Sequence, residues 1–533
     1  MIPRRVMGIE TEYGITCAAR RGTRPPLDAE ESAQRLFAPV LAAHRSTNTF
    51  LENGSRLYLD VGAHPEYATA ECDNIDDLLA HDRAGELIFA RLAKRANEKL
   101  NDDGVPGAIH LLKNNVDSEG HSFGCHENYM VHRRPDYRQR IARLIPFFVT
   151  RQIVAGAGSL HRGEDGQVRY EFSQRSHQMW EAISSASTRS RPMINTRDEP
   201  HADAELYRRM HVIVGDSNIS QATTGLKVAA TEALLTLVEE GAILPDLELA
   251  DPMHAIRITG ADLSGRANLE LASGGLTDPI SVQQRMYEAA MNHLDRKGYL
   301  AELDPTRRYL LELWERAITA VEHRDPSPIA TEIDWAAKLA LLTRYRERTG
   351  AKLCDARVAR LDLAYHDITE GGLRDRMEES GLLRRVITPE RATAAMTDPP
   401  RICVENIDDD DFYRSRVSGH QFFPLNQQAA SFPLPGEVGS QLPYPCLAHG
   451  GQGYPAGGET FHGCLGTRVE GSDTGEYRAA FRQFHPVSRA EDLLADPVHV
   501  EVPFHGDGHG CPESACDIHA SGGAGLAVAA TAR

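Results

Sequence analysis

Residues 53–72, NGSRLYLDVGAHPEYATAEC, carry the pattern on which the predicted fold depends. Over 56–61, apolar and polar residues alternate as they do in a strand with one buried face. The apolar face would hold Leu57, Leu59 and Val61, and the polar face would hold Arg56, Tyr58 and Asp60. Three further polar residues follow within a turn or a returning strand, namely Glu66, Thr69 and Glu71. The stretch therefore predicts a sheet with one polar face.

The rest of the chain indicates what surrounds this sheet. Alternation over 6–16, 108–116 and 127–132 predicts further strands. Apolar residues at helical spacing predict helices over 79–100, 225–240, 281–296, 306–323 and 332–347. Because the strands come early and the helices late, we expect an α+β fold in which helices pack on an antiparallel sheet.

Glu10 and Glu12 lie two residues apart in the predicted strand GIETEYG. Their carboxylates would point to the same face, where they repel each other unless a cation lies between them or one is protonated. Mg²⁺ takes such oxygen ligands and leaves positions open for phosphates. The alternative is a solvated strand face with no ligand.

The polar face of 56–61 would suit phosphate transfer. Arg56 could neutralise phosphate oxygens, carboxylates could hold a metal, and one carboxylate would remain as a base. The alternative is a structural sheet with a polar outer face. The chain has no G-x-x-x-x-G-K-[ST] motif, so any ATP would be held by the sheet itself.

Two further segments leave their interpretation open. His126, in GCHENY, could contact a metal or phosphate, or be structural. Five arginines could form a positive patch for an anionic ligand, or pair with Asp198, Glu199 and Asp203. They are Arg189, Arg191, Arg197, Arg208 and Arg209.

The overall composition narrows the function classes. A net charge of −18 argues against a general nucleic-acid-binding protein, because the phosphate backbone requires clustered Lys and Arg. The N-terminus shows no apolar region typical of a secretory signal, and no apolar run approaches the roughly 20 residues that span a bilayer. We therefore expect a cytoplasmic protein without a membrane partner.

The composition changes near residue 399. From there to residue 533, helical periodicity is almost lost and Gly, Pro, His and Cys become frequent, which favours a poorly ordered tail. We expect two regions, a catalytic domain over 1–398 and an atypical tail over 399–533. A shifted reading frame or a replaced tail would explain the abrupt change.

Six stretches resemble the Pup–protein ligase family, in the family's order, over roughly residues 4–400. They are MGIETEYG, NGSRLYLDVGAHPEYATAECD, KNNVDSEGHSFGCHENY, SSASTRSRPMINTRDEPHADAELYRRMHVIVGDSN, TEIDWAAKLALLTRYRER and LDLAYHDI. The resemblance implies a glutamine synthetase-like fold, with a curved antiparallel sheet that cradles ATP. It also implies that the C-terminal Glu of Pup, an acidic and largely disordered protein, is phosphorylated by ATP and joined to a lysine of a target protein, which marks that target for the proteasome.

The resemblance also assigns roles to individual residues. It implies that Mg²⁺ is bound by Glu10, Tyr58 and Glu66, that ATP contacts Arg56 and Thr69, and that Asp60 is the base. Glu12 is a further candidate ligand, for a second metal ion. Glu66 and Thr69 have opposite strand parity, so we expect a bulge or a turn between them.

Other functions stay open at this point. A related deamidase removes Pup, but it carries a long inserted loop between the two strand motifs, where this chain has a short connection. A small-molecule γ-glutamyl ligase and an inactive Pup-binding protein are further alternatives. The family's small C-terminal domain contains an ATP-contacting Trp, whereas this chain has no Trp after Trp335.

Overall fold

The computed structural model describes residues 2–19, 24–60, 62–117, 120–185, 191–198 and 202–400. The strands within these ranges are β1 (Met7–Glu12), β2 (Gly14–Ala19), β3 (Asn48–Phe50), β4 (Arg56–Asp60), β5 (His64–Ala68), β6 (Gly107–Leu112), β7 (Cys125–His132), β8 (Ser159–Arg162), β9 (Val168–Glu171), β10 (Glu181–Ser184), β11 (Pro192–Asn195), β12 (Tyr207–Val212), β13 (Leu269–Glu270) and β14 (Leu276–Thr277).

The helices of the described ranges lie around and after these strands. They are α1 (Ala29–His44), α2 (Ile75–Asp102), α3 (Tyr137–Ala142), α4 (Ile145–Thr150), α5 (Gln152–Ala155), α6 (Gln221–Glu239), α7 (Pro252–Ala261), α8 (Pro279–Arg296), α9 (Pro305–Glu322), α10 (Asp334–Thr349), α11 (Ala356–Tyr365), α12 (Leu373–Glu379) and α13 (Pro389–Ala394). Short 3₁₀ helices span Tyr299–Glu302 and Ser327–Ile329.

One large sheet organises the molecule. Within the described ranges it has eight strands in the order β10-β11-β12-β7-β1-β5-β4-β3. The pairs are antiparallel except β10 with β11, which is parallel. The predicted α+β class with an antiparallel sheet is confirmed, and the parallel pair within the described ranges lies at the edge formed by β10.

The helices pack behind one face of the sheet. α2 contacts β1 and α6 contacts β7, while α8 and α9 cover the far side of α6. Nearly all of α6 is buried, including the charged residues Lys227 and Glu232. On β1, Met7, Ile9 and Thr11 are buried toward these helices. The opposite face of the sheet is thereby left for polar side chains.

Two predicted strands end earlier than expected, for local reasons. The stretch 6–16 divides at Tyr13, whose buried ring packs edge-on against Phe89 with centroids 4.9 Å apart, and the chain continues as β2, which pairs with β6. The stretch 108–116 ends at Leu112. There the Lys113 side chain turns inward and its Nζ lies 2.7 Å from carboxylate oxygens of both Asp82 and Glu86.

Most predicted helices begin a few residues earlier than their apolar pattern suggests. α2 begins after Asn74, whose side chain accepts a hydrogen bond from the Asp77 amide. α6 begins after Ser220, whose side chain accepts a hydrogen bond from the Thr223 amide. Among the described residues, no helix combines the length and apolarity that crossing a bilayer requires.

Candidate active site

The register of three strands gathers the predicted residues on the polar face. Glu12 on β1 lies opposite Glu66 on β5, and Glu66 lies opposite Tyr58 on β4. In the next row, Glu10 and Arg56 both lie opposite Ala68. Because side chains alternate between faces, all five of these polar side chains share one face.

A carboxylate cluster stands at one end of this face. Glu12, Asp60 and Glu66 each place a carboxylate oxygen within 4.8 Å of the others. Glu66 is 2% exposed, and burial, followed by the repulsion of Glu12 and Glu10, raises its pKa to about 8. A bound cation would relieve this repulsion and hold Glu66 ionised at neutral pH. The cluster therefore fits a hard divalent metal such as Mg²⁺.

Glu10 is held by different partners. Its carboxylate accepts a hydrogen bond from the Asn128 amide at 2.9 Å, and it lies 3.0 Å from His126 Nδ1. Burial opposes ionisation, but the hydrogen bond and charge of His126 outweigh it and lower the pKa of Glu10. Glu10, His126 and His211 form a second group whose ligand atoms lie within 4.8 Å of one another. The face thus offers two adjoining ligand groups.

Tyr58 and Arg56 are fixed against each other. The Arg56 guanidinium lies over the Tyr58 ring, 4.4 Å from its centroid, and its Nε donates to Asn48 at 2.7 Å. Burial, followed by the neighbouring Glu66 and Glu10 carboxylates, raises the pKa of the Tyr58 phenol. Tyr58 therefore offers a neutral hydroxyl oxygen, and Arg56 offers a positive charge beside it.

Thr69 reaches this face although its strand parity is opposite to that of Glu66. β5 ends at Ala68, and the Thr69 hydroxyl then accepts a hydrogen bond from the Ile9 amide at 3.1 Å. Gly8 and Glu10 are two residues apart on β1, so both point to the polar face. A Cβ built on Gly8 would lie 3.4 Å from the Thr69 hydroxyl. The expected departure from strand geometry is present, and it places the hydroxyl beside the polar face.

Asp60 ends β4 and is exposed. Gly62 and Ala63 follow with positive φ angles of 92° and 60°, and the Ala63 amide donates to the Asp60 carbonyl at 3.0 Å. This tight turn presents Asp60 at the rim of the carboxylate cluster. It is the member of the cluster that an incoming group reaches first.

Close packing at Gly124 shapes the site. A Cβ at this position would lie 2.4 Å from His126 Nε2 and 3.0 Å from Glu12 Oε1. The Gly124 carbonyl also accepts a hydrogen bond from the Glu12 amide at 3.1 Å. Only a residue without a side chain lets β1 and the start of β7 bring Glu12 and His126 this close.

The sequence interpretation missed His211 and Asn128. His211, on β12, lies opposite Asn128 on β7. The ring nitrogens of His211 make no hydrogen bond within the described part of the chain. Burial, followed by the charge of His126, lowers the pKa of His211 to about 3, so the ring is neutral. The alternation of polar and apolar residues in YRRMHV and in CHENYM was the sequence signal that these residues lie on the polar faces of two strands. The pairing of β12 with β7 could not be predicted from it.

Two neighbouring arginines of the predicted patch, Arg208 and Arg209, lie on opposite faces of the sheet. Arg209 faces the site, 3.7 Å from Glu10, whereas Arg208 has opposite parity and donates to Asp198 at 2.9 Å. Arg191 donates to Gln178 at 3.1 Å. Arg189 and Glu199 lie outside the described residues. The alternative of pairing with acidic residues is correct for Arg208, and Arg209 belongs to the site.

Comparisons with known proteins agree on one family. The family model for Pup-ligase protein matches residues 5–403. A Pup–protein ligase from Renibacterium salmoninarum is 50% identical over 398 residues, covering 74% of this chain and 85% of the relative. Another from Jonesia denitrificans is 52% identical over 402 residues, covering 75% and 86%.

Two solved structures resemble the chain in fold. The complex between Pup and its ligase PafA has a TM-score of 0.70 at 42% identity, covering 74% of this chain and 80% of that one. PafA in complex with ADP has a TM-score of 0.63 at 43% identity, covering 70% and 81%.

Proposed function

Because this chain belongs to the Pup-ligase protein family, we propose that it is an ATP-dependent ligase that joins Pup to lysines of other proteins. Relatives of about half-identical sequence bear that name, and solved relatives hold Pup or ADP. The observation that carries the proposal is the register that sets Glu12, Glu66 and Tyr58 in one row, with Asp60 at its rim. A cytoplasmic location is part of the proposal, because the reaction consumes ATP.

Mg²⁺ would be held by Glu10, Tyr58 and Glu66, with Glu12 available for a second ion. The raised pKa of Glu66 supports a cation beside Glu66, and Glu12 and Asp60 are the carboxylates grouped with it. When bound, Mg²⁺ would neutralise phosphate charge on ATP. His211 is a further candidate contact, because its neutral ring lies 4.0 Å from Glu10.

The first step of the proposed reaction activates a carboxylate. A side-chain oxygen of the C-terminal Glu of Pup attacks the γ-phosphorus of ATP, and the bond from that phosphorus to the bridging oxygen breaks. The products are a γ-glutamyl phosphate and ADP. The Arg56 guanidinium, fixed over Tyr58, would neutralise phosphate oxygens, and the Thr69 hydroxyl would contact the nucleotide.

The second step forms the isopeptide bond. A lysine amine is protonated at neutral pH and must lose a proton before it attacks. Asp60, exposed beside the cluster, would accept that proton. The amine nitrogen then bonds to the glutamyl carbon, the carbon–oxygen bond to phosphate breaks, and inorganic phosphate leaves.

The proposed catalytic domain covers residues 1–398. Its described end is tied to the body of the molecule, since Arg391 on α13 pairs with Asp76 and Asp77 on α2. The Asn53 amide also donates to the Ala395 carbonyl at 2.7 Å. The proposed tail, 399–533, lies outside the described residues apart from its first two. Sequencing the gene across codons 395–405 tests the frameshift hypothesis, which an intact frame in independent reads would contradict.

A conjugation assay on the full chain tests the proposed function. Wild type is incubated with ATP, Mg²⁺, Pup and a lysine-bearing acceptor protein, and the Asp60→Asn variant is the matched control. An ATP-dependent covalent adduct in wild type alone supports the ligase. Removal of Pup from a purified conjugate would indicate the deamidase, and binding of Pup without an adduct would indicate an inactive binding protein.

A further inference from the structure

A group of metal-binding side chains lies outside the active site, at the β8–β9 hairpin. His161, Glu171 and His177 each place a ligand atom within 4.8 Å of the others. Ser159 pairs with Glu171 and His161 with Arg169, so His161 and Glu171 are diagonal neighbours on one face of the hairpin. His177 reaches them from the loop that follows β9.

The buried carboxylate of Glu171 favours a cation in this group. Glu171 is 3% exposed, and His177 Nε2 lies 2.8 Å from its carboxylate. The neighbouring Arg169 is engaged by Asp165, to which its NH1 donates at 3.1 Å. A buried carboxylate is costly without a compensating positive charge. An uncharged imidazole supplies no such charge, whereas a cation bound between the two rings and Glu171 would.

The two imidazoles lie next to each other beside Glu171. Their rings stack with centroids 4.1 Å apart and an angle of 8° between the planes. Each ring must direct a nitrogen lone pair in its own plane toward the ion, so binding of both rings to one ion would require His177 to tilt out of the stack. Its side chain is 31% exposed, which leaves space for this rotation.

We propose that His161, Glu171 and His177 form a Zn²⁺ site that fastens the β8–β9 hairpin to the segment leading into edge strand β10. Two imidazoles and one carboxylate match the ligand preference of zinc, with a water in the fourth position. Mg²⁺ prefers oxygen ligands throughout, so it suits the active-site carboxylates better than this site. The site is independent of the proposed ligase activity.

The location gives the site a structural consequence. The segment between Glu171 and His177 carries Arg175, whose NH1 donates to the Phe123 carbonyl at 2.6 Å, next to Gly124. Trp180 and β10 follow His177 directly. Zinc would therefore fix a loop that runs from the rear of the active site to the sheet edge.

Zinc stoichiometry tests the proposal. The full chain is freed of metal with a chelator and titrated with Zn²⁺ against a chromophoric zinc chelator, with Mg²⁺ in excess. The double variant His161→Asn/His177→Asn should bind one equivalent less than wild type. The control His254→Asn changes an exposed histidine on α7 and should bind as wild type does. All proteins share the same active site and the same tail, so other bound zinc cancels in the difference.

Two further readouts keep the test decisive. Added Zn²⁺ should raise the unfolding midpoint of wild type more than that of the double variant, each compared with its own metal-free form. If the double variant does not fold, Glu171→Gln replaces it. Equal zinc stoichiometry and equal zinc-induced shifts in wild type and variant would overturn the proposal. Retained Pup conjugation by the variant separates this result from any failure of the ligase assignment.

Discussion

Replacing Gly124 with alanine should damage the active site without unfolding the protein. The backbone at this position is one that alanine can adopt, so the effect comes from the added methyl group. That methyl would lie 2.4 Å from His126 Nε2, where an ordinary contact is 3.4 Å or longer. His126 must therefore retreat by about 1 Å, and its contact with Glu10, 3.0 Å at present, would be lost or distorted.

The size of the effect follows from this displacement. A misplacement of about 1 Å in a catalytic group lowers the rate on the order of 100-fold, which corresponds to roughly 2.7 kcal/mol. Crowding of this kind typically costs about 1–3 kcal/mol of stability, so the fold should survive. Initial rates of Pup conjugation give kcat/KM, and thermal unfolding checks the fold.

A double-mutant cycle isolates the clash. In a His126→Ala background the obstructing ring is absent, so Gly124→Ala should lower kcat/KM much less than it does in wild type. Glu12 stays 3.0 Å from the new methyl and accounts for the remaining loss. Wild-type activity of Gly124→Ala, or strict additivity in the cycle, would refute the packing argument.

Three other changes test separate parts of the account. Asp60→Asn should keep nucleotide affinity, measured by calorimetry, and lose conjugation; unchanged conjugation would exclude Asp60 as the base. Glu10→Ala should weaken Mg²⁺-dependent ATP binding, and retained affinity would count against its metal role. Glu127→Gln should destabilise the fold by about 3–5 kcal/mol, because Arg151 would lose a buried partner 2.6 Å away. The pKa of Glu127, opposed by burial, is lowered chiefly by Arg151, so its contribution is present above an unfolded pKa of about 4.3 and is lost as pH falls through the lower folded value. Urea unfolding at pH 7 and pH 4 should show a smaller pH dependence for Glu127→Gln, and equal pH dependence would contradict this assignment.

Much of the site could be predicted from local sequence. Alternation in RLYLD fixed which side chains share a face, and the family resemblance, which the comparisons confirm, gave roles to Asp60 and Glu66. The alternation is a local signal, because residues two apart in a strand point to the same face. Strand pairing then brought these faces together in one row.

The remainder depends on pairing between distant segments. His126 and His211 meet because β12 pairs with β7, which no local pattern specifies. Lys113 stands in a polar stretch but is buried, because Asp82 and Glu86 lie one helical turn apart on α2 and face it. The parallel pairing of β10 with β11 is likewise not specified by a local pattern.

Transfer of oxygen from Pup to phosphate tests the central claim most directly. Pup is prepared with ¹⁸O in the side-chain carboxylate of its C-terminal Glu, and the phosphate released during conjugation is analysed by mass spectrometry. Activation of the carboxylate by phosphorylation predicts one ¹⁸O atom in each phosphate released with an adduct. Conjugation that yields phosphate without ¹⁸O would contradict the proposed role of this sheet face.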